Sequence, residues 1–226
     1  MRPVRAVLFD AGGTLIHVDG ERVCRAAGVD FDAAAFRKAE WDAVAAVRRL
    51  VLERPDSRDA ERVPLYMTKL VAGLGLSEDA ACREAALRVA AEHRRANLWS
   101  RAADDAAETL SALVARGYRI AVVSNADGRV RGLLEAAGLS SLLEFVVDSA
   151  EVGVEKPDPR IFHAATDRLG LPPEACAYVG DIYEIDVLGA ERAGLEAVLV
   201  GDGPAPETVR RVPRLSALHP LFPGFA

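Results

Sequence analysis

An aspartate stands where a short apolar segment gives way to a turn of small residues, in the stretch Val7-Leu8-Phe9-Asp10-Ala11-Gly12-Gly13-Thr14. A carboxylate in such a position can act as a nucleophile and as a metal ligand. The glycines allow an anionic group to approach the backbone because they carry no Cβ. We therefore expect Thr14 and the amides of the turn, including that of Gly13, to bind an anion. The Gly12 carbonyl is a candidate metal ligand.

Two later segments supply a hydroxyl and an ammonium group. Ser124 and Asn125 follow an apolar run, where a hydroxyl and an adjacent amide can bind further oxygens of an anion, although Ser-Asn is also common in ordinary turns. Lys156 precedes a proline, which holds its backbone extended. Its ammonium can neutralise both Asp10 and a bound anionic group. This lysine is notable because arginine is the usual cation in this chain, with only three lysines among 28 basic residues.

A Gly-Asp-x-x-x-x-Asp stretch that contains Asp181 and Asp186 forms an acidic loop. Two carboxylates that face Asp10 would repel it unless a divalent cation lay between them. Mg²⁺ prefers an all-oxygen ligand set and usually keeps some water ligands. The sequence therefore predicts a magnesium site formed by Asp10, Gly12, Asp181 and Asp186, and we expect Glu184 to face solvent.

In chain order, these segments resemble the four signature motifs of the haloacid dehalogenase-like (HAD) hydrolase superfamily. The resemblance extends from the first strand to about Gly201, although the stretch between the first two motifs carries no signature. It implies an aspartyl-phosphate intermediate at the nucleophile, with Mg²⁺ as cofactor and a small phosphorylated metabolite as substrate. It also implies that Asp181 is a direct metal ligand, and that Asp186 acts through water or as a hydrogen-bonding partner. The implied catalytic residues are Asp10, Lys156 and Thr14, and the implied phosphate-binding residues are Ser124, Asn125, Gly13 and Lys156.

Short β-branched runs alternate with helical patterns, which predicts an α/β protein with a Rossmann-like parallel sheet. The predicted strands are Val4–Phe9, Arg119–Val123, Phe145–Val147, Ala177–Val179 and Ala197–Val200. Asp10, Ser124 and Asp181 then follow the carboxyl ends of strands, where open α/β sheets bind ligands.

Two further expectations concern the ends of this sheet region. Asp104 or Asp105 should cap a helix that ends at Arg116, with Gly117 as its C-terminal stop. The proline-rich tail after Gly201 should wrap the sheet region and form at most a short helix.

The segment from about Asp19 to Leu98 has helical periodicity and no convincing strand. Apolar residues at steps of three and four give the first long run one apolar face. Further helical runs cover Val63–Leu74 and Glu78–Arg95. We predict about four helices, and assign residues 19–98 to an inserted helical cap and residues 1–18 and 99–226 to an α/β core. The position resembles that of the cap in the family's C1 members, which closes over the site and sets substrate choice.

Composition excludes several other roles. The chain has 226 residues and a net charge of -6, which argues against nucleic acid or an anionic membrane as a main partner. Cys24, Cys82 and Cys176 lack the spacing of a disulfide framework or a structural zinc site. No long apolar signal region or run of about 18 apolar residues is present. We expect a cytoplasmic monomer or homodimer that acts on a small molecule.

One position departs from the pattern of the phosphatase members. There, an aspartate two residues after the nucleophile protonates the leaving group and then activates water; here that position is Gly12. A positioned acid or base contributes roughly 10²–10⁴-fold, so we expect slow turnover of alkyl phosphates and less effect on aryl or acyl phosphates. Possible substitutes are His17, Asp19, Glu92 and His93, of which His17 is the most attractive because its ordinary pKa is near neutrality.

Three alternatives remain open. A 2-haloacid dehalogenase would use Asp10 on carbon without a metal, but the acidic loop would repel a carboxylate substrate. A phosphonoacetaldehyde-type hydrolase also has a small residue at the Gly12 position, and would need a cap lysine, Lys38 or Lys69, that is desolvated enough to form a Schiff base. The third alternative is a non-catalytic module that binds phosphate or a protein partner. It stays open because Gly12 stands where the phosphatase members have an acid.

Overall fold

The computed structural model describes residues 3–76 and 80–224. The chain divides into two compact units: Met1–His17 with Arg101–Ala226, and Val18–Ser100. We call the first the core unit and the second the helical unit. The described strands, in chain order, are β1 Ala6–Phe9, β2 Ile16–Val18, β3 Trp99–Ala102, β4 Arg119–Ser124, β5 Phe145–Asp148, β6 Cys176–Gly180, β7 Glu196–Val200 and β8 Arg211–Val212.

The core unit is built on a six-stranded sheet of order β5-β4-β1-β6-β7-β8, whose strand pairs are all parallel. The central strand β1 is buried at each of its four residues, which explains its continuous apolar sequence, because a central parallel strand is covered on both faces. Phe9 pairs with Val122 of β4 on one side and with Val179 of β6 on the other. The residues that follow these strands therefore start from the same edge of the sheet.

Helices and turns connect the strands of the core unit. The first four helices of the chain belong to the helical unit and are described below. The helices of the core unit are α5 Ala106–Ala115, α6 Val130–Ala136, α7 Ser149–Val152, α8 Pro159–Leu169 and α9 Leu188–Arg192. A π-helix covers Tyr183–Val187, and 3₁₀ helices cover Ser140–Leu142, Pro173–Ala175 and Leu215–Leu218. These elements make the core unit the α/β, Rossmann-like architecture predicted from the sequence, and that prediction is confirmed.

Two local predictions for the core unit were each wrong in one respect, although α5 begins after Asp105 and ends before Gly117 as expected. Asp105 stands before α5 but makes no side-chain bond to that helix; its carboxylate instead accepts a hydrogen bond of 2.8 Å from the Ser216 amide. The tail after Gly201 contains the short strand β8 as well as the final 3₁₀ helix. A two-residue strand is too short to show periodicity, and a bond between residues 105 and 216 leaves no local pattern in the sequence.

The helical unit contains, within its described residues, the helices α1 Gly20–Ala27, α2 Ala33–Glu53, α3 Asp59–Gly73 and α4 Ala80–Arg95. Asp19 and Asp32 cap α1 and α2 by accepting bonds from the amides three residues later, at 3.0 and 2.7 Å. The predicted third helix begins four residues earlier than expected, at Asp59, and the start of the predicted fourth helix, at Glu78, lies outside the described residues.

The helices α2 and α3 pack closely against each other. A Cβ added at Gly73, the last residue of α3, would come within 2.7 Å of the Ala39 Cβ on α2. Small residues at this crossing therefore allow the two backbones to approach.

Among the described residues, none of the helices has the length and apolar character that a membrane span requires.

Candidate active site

The centre of the candidate site is the buried ammonium group of Lys156. Its Nζ donates hydrogen bonds to Asp10 Oδ1 at 2.6 Å, to Asp186 Oδ1 at 2.8 Å and to Tyr178 Oη at 2.8 Å. The side chain of Lys156 is only 2% exposed, and that of Asp10 is 9% exposed. Residues separated by 146 and 30 positions in the sequence therefore meet at one cation.

Backbone pairing fixes the position of the Asp10 carboxylate. The Asp10 amide continues the ladder of β1 by donating to the Val179 carbonyl at 2.9 Å. The chain then turns immediately, and Leu15 and Ile16 both donate to the Ala11 carbonyl, each at 2.9 Å. The carboxylate thus projects from a strand end whose direction is set by the sheet.

A single asparagine holds the backbone of Lys156 on both sides. Asn125 Oδ1 accepts from the Lys156 amide at 2.7 Å, and Asn125 Nδ2 donates to the Lys156 carbonyl at 3.1 Å. The peptide between Lys156 and Pro157 is cis. Both polar atoms of the Asn125 carboxamide are therefore bonded to the lysine backbone.

Two glycines leave room for the carboxylates of the acidic loop. Gly13 has a φ of +86°, and a Cβ at this position would come within 2.4 Å of Asp181 Oδ2. A Cβ at Gly180 would come within 2.4 Å of the Asp186 side chain. Only a residue without a side chain fits at either position while the carboxylates keep their places.

The π-helix Tyr183–Val187 shapes the rest of the acidic loop. The Ile182 amide donates to Asp186 Oδ2 at 2.9 Å, while the other oxygen of this carboxylate accepts from Lys156. Asp186 is therefore fixed at both oxygens. Glu184 is buried, so the expectation that it faces solvent was wrong.

The three carboxylates form a compact set of oxygen ligands. Asp10, Asp181 and Asp186 each place one oxygen within 4.8 Å of the oxygens of the other two. Burial raises the pKa of Asp10 to about 6, against the opposing effect of Lys156. Burial, together with Asp186 and Asp10, raises the pKa of Asp181 well above its ordinary value. Three carboxylates with one ammonium are short of positive charge, and a hard divalent cation fits this donor set.

The remaining predicted site residues lie around this cluster. Thr14 is buried and its Oγ1 donates to Asp181 Oδ1 at 3.4 Å. Ser124 is buried at the end of β4, and its hydroxyl lies 3.4 Å from the Asn125 carbonyl. Gly12 forms an isolated bridge with Ile16 within the turn. These residues surround the cluster, and none of them carries a charged side chain.

Three of the four residues considered as substitutes for the missing acid have structural partners in the helical unit. Asp19 caps α1. Glu92 accepts bonds from Arg95 and Arg22, which lower its pKa to about 2. His93 Nδ1 accepts from the Leu98 amide at 3.3 Å. A carboxylate with so low a pKa is a poor proton donor at neutral pH.

The fourth candidate, His17, lies in the core unit. Its pKa is lowered from 6.5, first by burial and then by Arg101. The neutral imidazole is therefore favoured at neutral pH, which suits a base better than an acid.

Lys38 and Lys69, considered for a Schiff base, are both exposed, and Lys38 forms an ion pair with Asp42 at 2.6 Å. Exposure does not provide the desolvation that a neutral lysine requires.

Sequence reasoning missed Tyr178 as part of the site. This tyrosine lies in the middle of β6 and is 1% exposed, yet its hydroxyl contacts both Lys156 and Asp186. One signal was available: a hydroxyl in a fully buried central strand requires a polar partner. Because Tyr178 lies two residues before Gly180, this partner was to be expected near the acidic loop.

Comparisons with known proteins agree with this fold. A family model for haloacid dehalogenase-like hydrolases matches residues 4–194. Haloacid dehalogenase-like hydrolase domain-containing protein 3 of Bos taurus is 42% identical over 103 residues, which is 46% of this chain and 41% of that protein. Phosphoserine phosphatase of Thermus thermophilus is 40% identical over 110 residues, which is 47% of this chain and 44% of that protein.

A solved structure of a dehalogenase is 27% identical, with a TM-score of 0.69 and coverage of 98% of both chains. The chain belongs to the haloacid dehalogenase-like hydrolases, because the family model covers most of its length. The predicted family and the predicted class of enzyme, a hydrolase, are thereby confirmed. The chain spans less than half the length of the two curated relatives.

Proposed function

We propose that this chain is a Mg²⁺-dependent hydrolase of small phosphorylated metabolites that acts through an aspartyl-phosphate at Asp10. The observation that carries the proposal is the buried cluster in which Lys156 bonds to both Asp10 and Asp186, with Asp181 beside them. A nucleophilic carboxylate, an ammonium and two further carboxylates are the groups that phosphoryl transfer requires. The relative named phosphoserine phosphatase supports the same reaction class.

The chemistry divides into two displacements at phosphorus. An oxygen of Asp10 attacks the phosphoryl group, the bond to the leaving oxygen breaks, and the leaving group departs with the electron pair. Water then attacks the phosphorus of the aspartyl-phosphate, which releases phosphate and restores the carboxylate. Lys156 stays bonded to Asp10 and offsets negative charge that develops on the phosphoryl oxygens.

Other residues of the core unit would bind the phosphoryl group and the cation. Ser124, Thr14 and Asn125 would bind phosphoryl oxygens, whereas the Gly13 amide, also predicted for this role, donates to the Ile16 carbonyl at 2.8 Å. Mg²⁺ would be held by Asp10, Asp181, Asp186 and the Gly12 carbonyl, and when bound it supplies positive charge that offsets the carboxylates and the phosphoryl oxygens. The fit rests on the three convergent oxygens described above.

Gly12 restricts the leaving group. Because a glycine cannot protonate the departing oxygen, the proposed substrates are those whose leaving group is stable as an anion, such as aryl or acyl phosphates.

We further propose that the helical unit acts as the cap that selects among these substrates. The cysteines Cys24, Cys82 and Cys176 are buried and not joined in a disulfide, which fits a reducing compartment such as the cytoplasm.

The test is a panel of aryl, acyl and alkyl phosphates, assayed with Mg²⁺ and with a chelator. Metal-dependent turnover that falls in the order acyl or aryl above alkyl, and that disappears in Asp10→Asn, is the expected result. Binding of Mg²⁺ and a phosphate mimic without turnover of any substrate would reject the enzyme in favour of a binding module.

A second candidate is a dehalogenase, favoured by the 27% identical solved structure of that activity. It would use Asp10 on a carbon–halogen bond, with halide as the leaving group. The carboxylates of Asp181 and Asp186 argue against it, because they would repel a carboxylate substrate. Chloride release from 2-chloropropionate in the presence of chelator would establish this candidate and displace the phosphatase.

A further inference from the structure

The hydroxyl of Tyr178 joins groups from separate parts of the core unit. It accepts from Lys156 Nζ at 2.8 Å, lies 2.9 Å from the Val123 carbonyl and lies 3.3 Å from Asp186 Oδ1. A phenol has one proton to donate, and the Val123 carbonyl is the nearer of its two acceptors. The hydroxyl therefore links the strand end that carries Ser124 to the ammonium beside the nucleophile.

The placement of this tyrosine in the sheet gives it that reach. Tyr178 pairs with Leu8 of β1, and β1 separates β6 from β4. The side chain therefore spans the central strand to reach Val123 on β4. Its ring packs edge-on against Phe162 with centroids 4.9 Å apart, so ring and hydroxyl have separate contacts.

We propose that Tyr178 is a positioning residue for Lys156, whose hydroxyl holds one ammonium hydrogen so that the other two face Asp10 and Asp186. An ammonium carries three hydrogens, and it has three oxygen partners here. Without the hydroxyl, the ammonium gains rotational freedom between the two carboxylates. The kinetic part of this proposal rests on the proposed phosphatase function, whereas the structural part does not.

The kinetic experiment compares Tyr178→Phe with Tyr118→Phe. Tyr118 is a matched control because it is also a buried tyrosine of the core unit, with its ring against Phe222 and its hydroxyl accepting from the Gly224 amide at 3.3 Å. With p-nitrophenyl phosphate and Mg²⁺, we expect Tyr178→Phe to lower kcat by about 10- to 100-fold with KM changed by less than about twofold, as for a misplaced catalytic group. We expect Tyr118→Phe to change neither parameter by more than about twofold.

A second measurement needs no turnover. Only Lys38, Lys69 and Lys156 are lysines, so ¹⁵N-lysine labelling gives few side-chain signals. Lys38 and Lys69 are exposed and their ammonium hydrogens exchange quickly, whereas those of Lys156 are buried. We expect one protected ammonium signal that shows a nuclear Overhauser contact to the Tyr178 ring in the wild type. It should exchange faster in Tyr178→Phe and remain unchanged in Tyr118→Phe.

These measurements separate the two proposals. If the wild type turns over no phosphate, the phosphatase proposal fails, and the ammonium signal still decides the role of Tyr178. The role of Tyr178 is rejected if the wild-type contact is missing, if Tyr178→Phe leaves both kcat and the ammonium exchange as in the wild type, or if both tyrosine variants lose kcat equally. Because the wild-type contact is measured without any variant, poor folding of Tyr178→Phe would not prevent a decision.

Discussion

Lys156 shows how one residue can organise the charge of a whole site. Burial acts to lower its pKa, but Asp10 and Asp186 outweigh burial and raise the pKa well above its ordinary value. The lysine therefore stays protonated and binds the two carboxylates, while Asp181 lies beside them with a raised pKa. One ammonium cannot compensate three carboxylates, which is the physical basis for expecting a divalent cation.

The first prediction concerns pH and magnesium. The pKa of Asp10 rises from 3.8 to about 6 on folding, first because of burial. The folded protein then binds this proton more tightly than the unfolded chain, so metal-free stability should fall as pH rises from about 4 to about 6. A cation that binds the ionised carboxylates should offset this loss.

The measurement is urea unfolding at pH 5 and pH 7.5, with Mg²⁺ and with a chelator. At ten times its dissociation constant, Mg²⁺ should stabilise the protein by about 1.4 kcal/mol at pH 7.5, and by less at pH 5. Asp181→Asn serves as the control and should lose most of the magnesium effect. Equal stabilisation by Mg²⁺ at both pH values would contradict the prediction.

The second prediction concerns Asn125, whose carboxamide bonds to both sides of the Lys156 backbone. Asn125→Ala should lower kcat by about 10- to 100-fold, because the loop that carries the lysine loses its fixed position. It should also reduce the free energy of unfolding by about 1–3 kcal/mol. Steady-state kinetics and urea unfolding measure the two effects.

Asn97→Ala provides the matched control for Asn125. Asn97 lies in the helical unit, and its Oδ1 accepts from the Trp99 amide at 2.9 Å. Its loss should reduce stability while leaving kcat within about twofold of the wild type. The positioning role of Asn125 would be refuted by variants that lower kcat to the same extent at both positions.

At the scale of elements, features that depend on local sequence patterns were predictable, whereas features that depend on distant contacts were not. The strand β1 and the turn after it are recognisable because burial on both faces requires a continuous apolar run. In contrast, the bond between Asp105 and Ser216 and the reach of Tyr178 to Val123 depend on tertiary packing. No local propensity encodes such pairs, so they became visible only in the folded chain.

The acidic loop illustrates the same limit within the site. Its aspartates were recognisable from their spacing, but the π-helix Tyr183–Val187 and the burial of Glu184 were not. A π-helix accommodates one more residue per turn than an α-helix and is frequent at functional sites. Here it lets Asp186 accept from the Ile182 amide while its other oxygen bonds to Lys156.

The third prediction tests the helix crossing in the helical unit. Gly73→Ala places a Cβ within 2.7 Å of the Ala39 Cβ and 2.9 Å of its Cα, so α2 and α3 must separate. We expect a loss of about 1–3 kcal/mol in the free energy of unfolding, as is usual for overpacking. Thermal or urea unfolding of the purified variant measures it.

Gly132→Ala is the control for this change. Gly132 lies inside α6, and a Cβ added there meets nothing within 4 Å. Alanine should stabilise this helix by about 0.4–1 kcal/mol, because it restricts the unfolded chain. A stabilising effect of alanine at Gly73 would show that the crossing tolerates the extra methyl group.

At the scale of the whole molecule, the proposed function places the chemistry in the core unit and the choice of substrate in the helical unit. The carboxylates, Lys156 and Tyr178 all lie in the core unit. The chain leaves this unit after His17 and returns at Arg101, and the Ala103 amide donates to the Leu15 carbonyl at 2.9 Å close to those two points. The core unit also has its own buried apolar cluster around the sheet. A shorter connection in place of the helical unit is therefore compatible with its fold.

The fourth prediction follows from this division. A variant in which a short Gly/Ser turn replaces Val18–Ser100 should fold, bind Mg²⁺ and keep the protected Lys156 ammonium signal, because the site residues and their partners remain. For phosphate esters whose leaving groups have the same acidity, its kcat/KM values should converge to within about threefold of one another, because the proposed cap no longer discriminates among them. The same variant with Asp10→Asn controls for contaminating phosphatases. If the shortened protein kept the substrate preference of the full chain, selection would have to reside in the core unit instead.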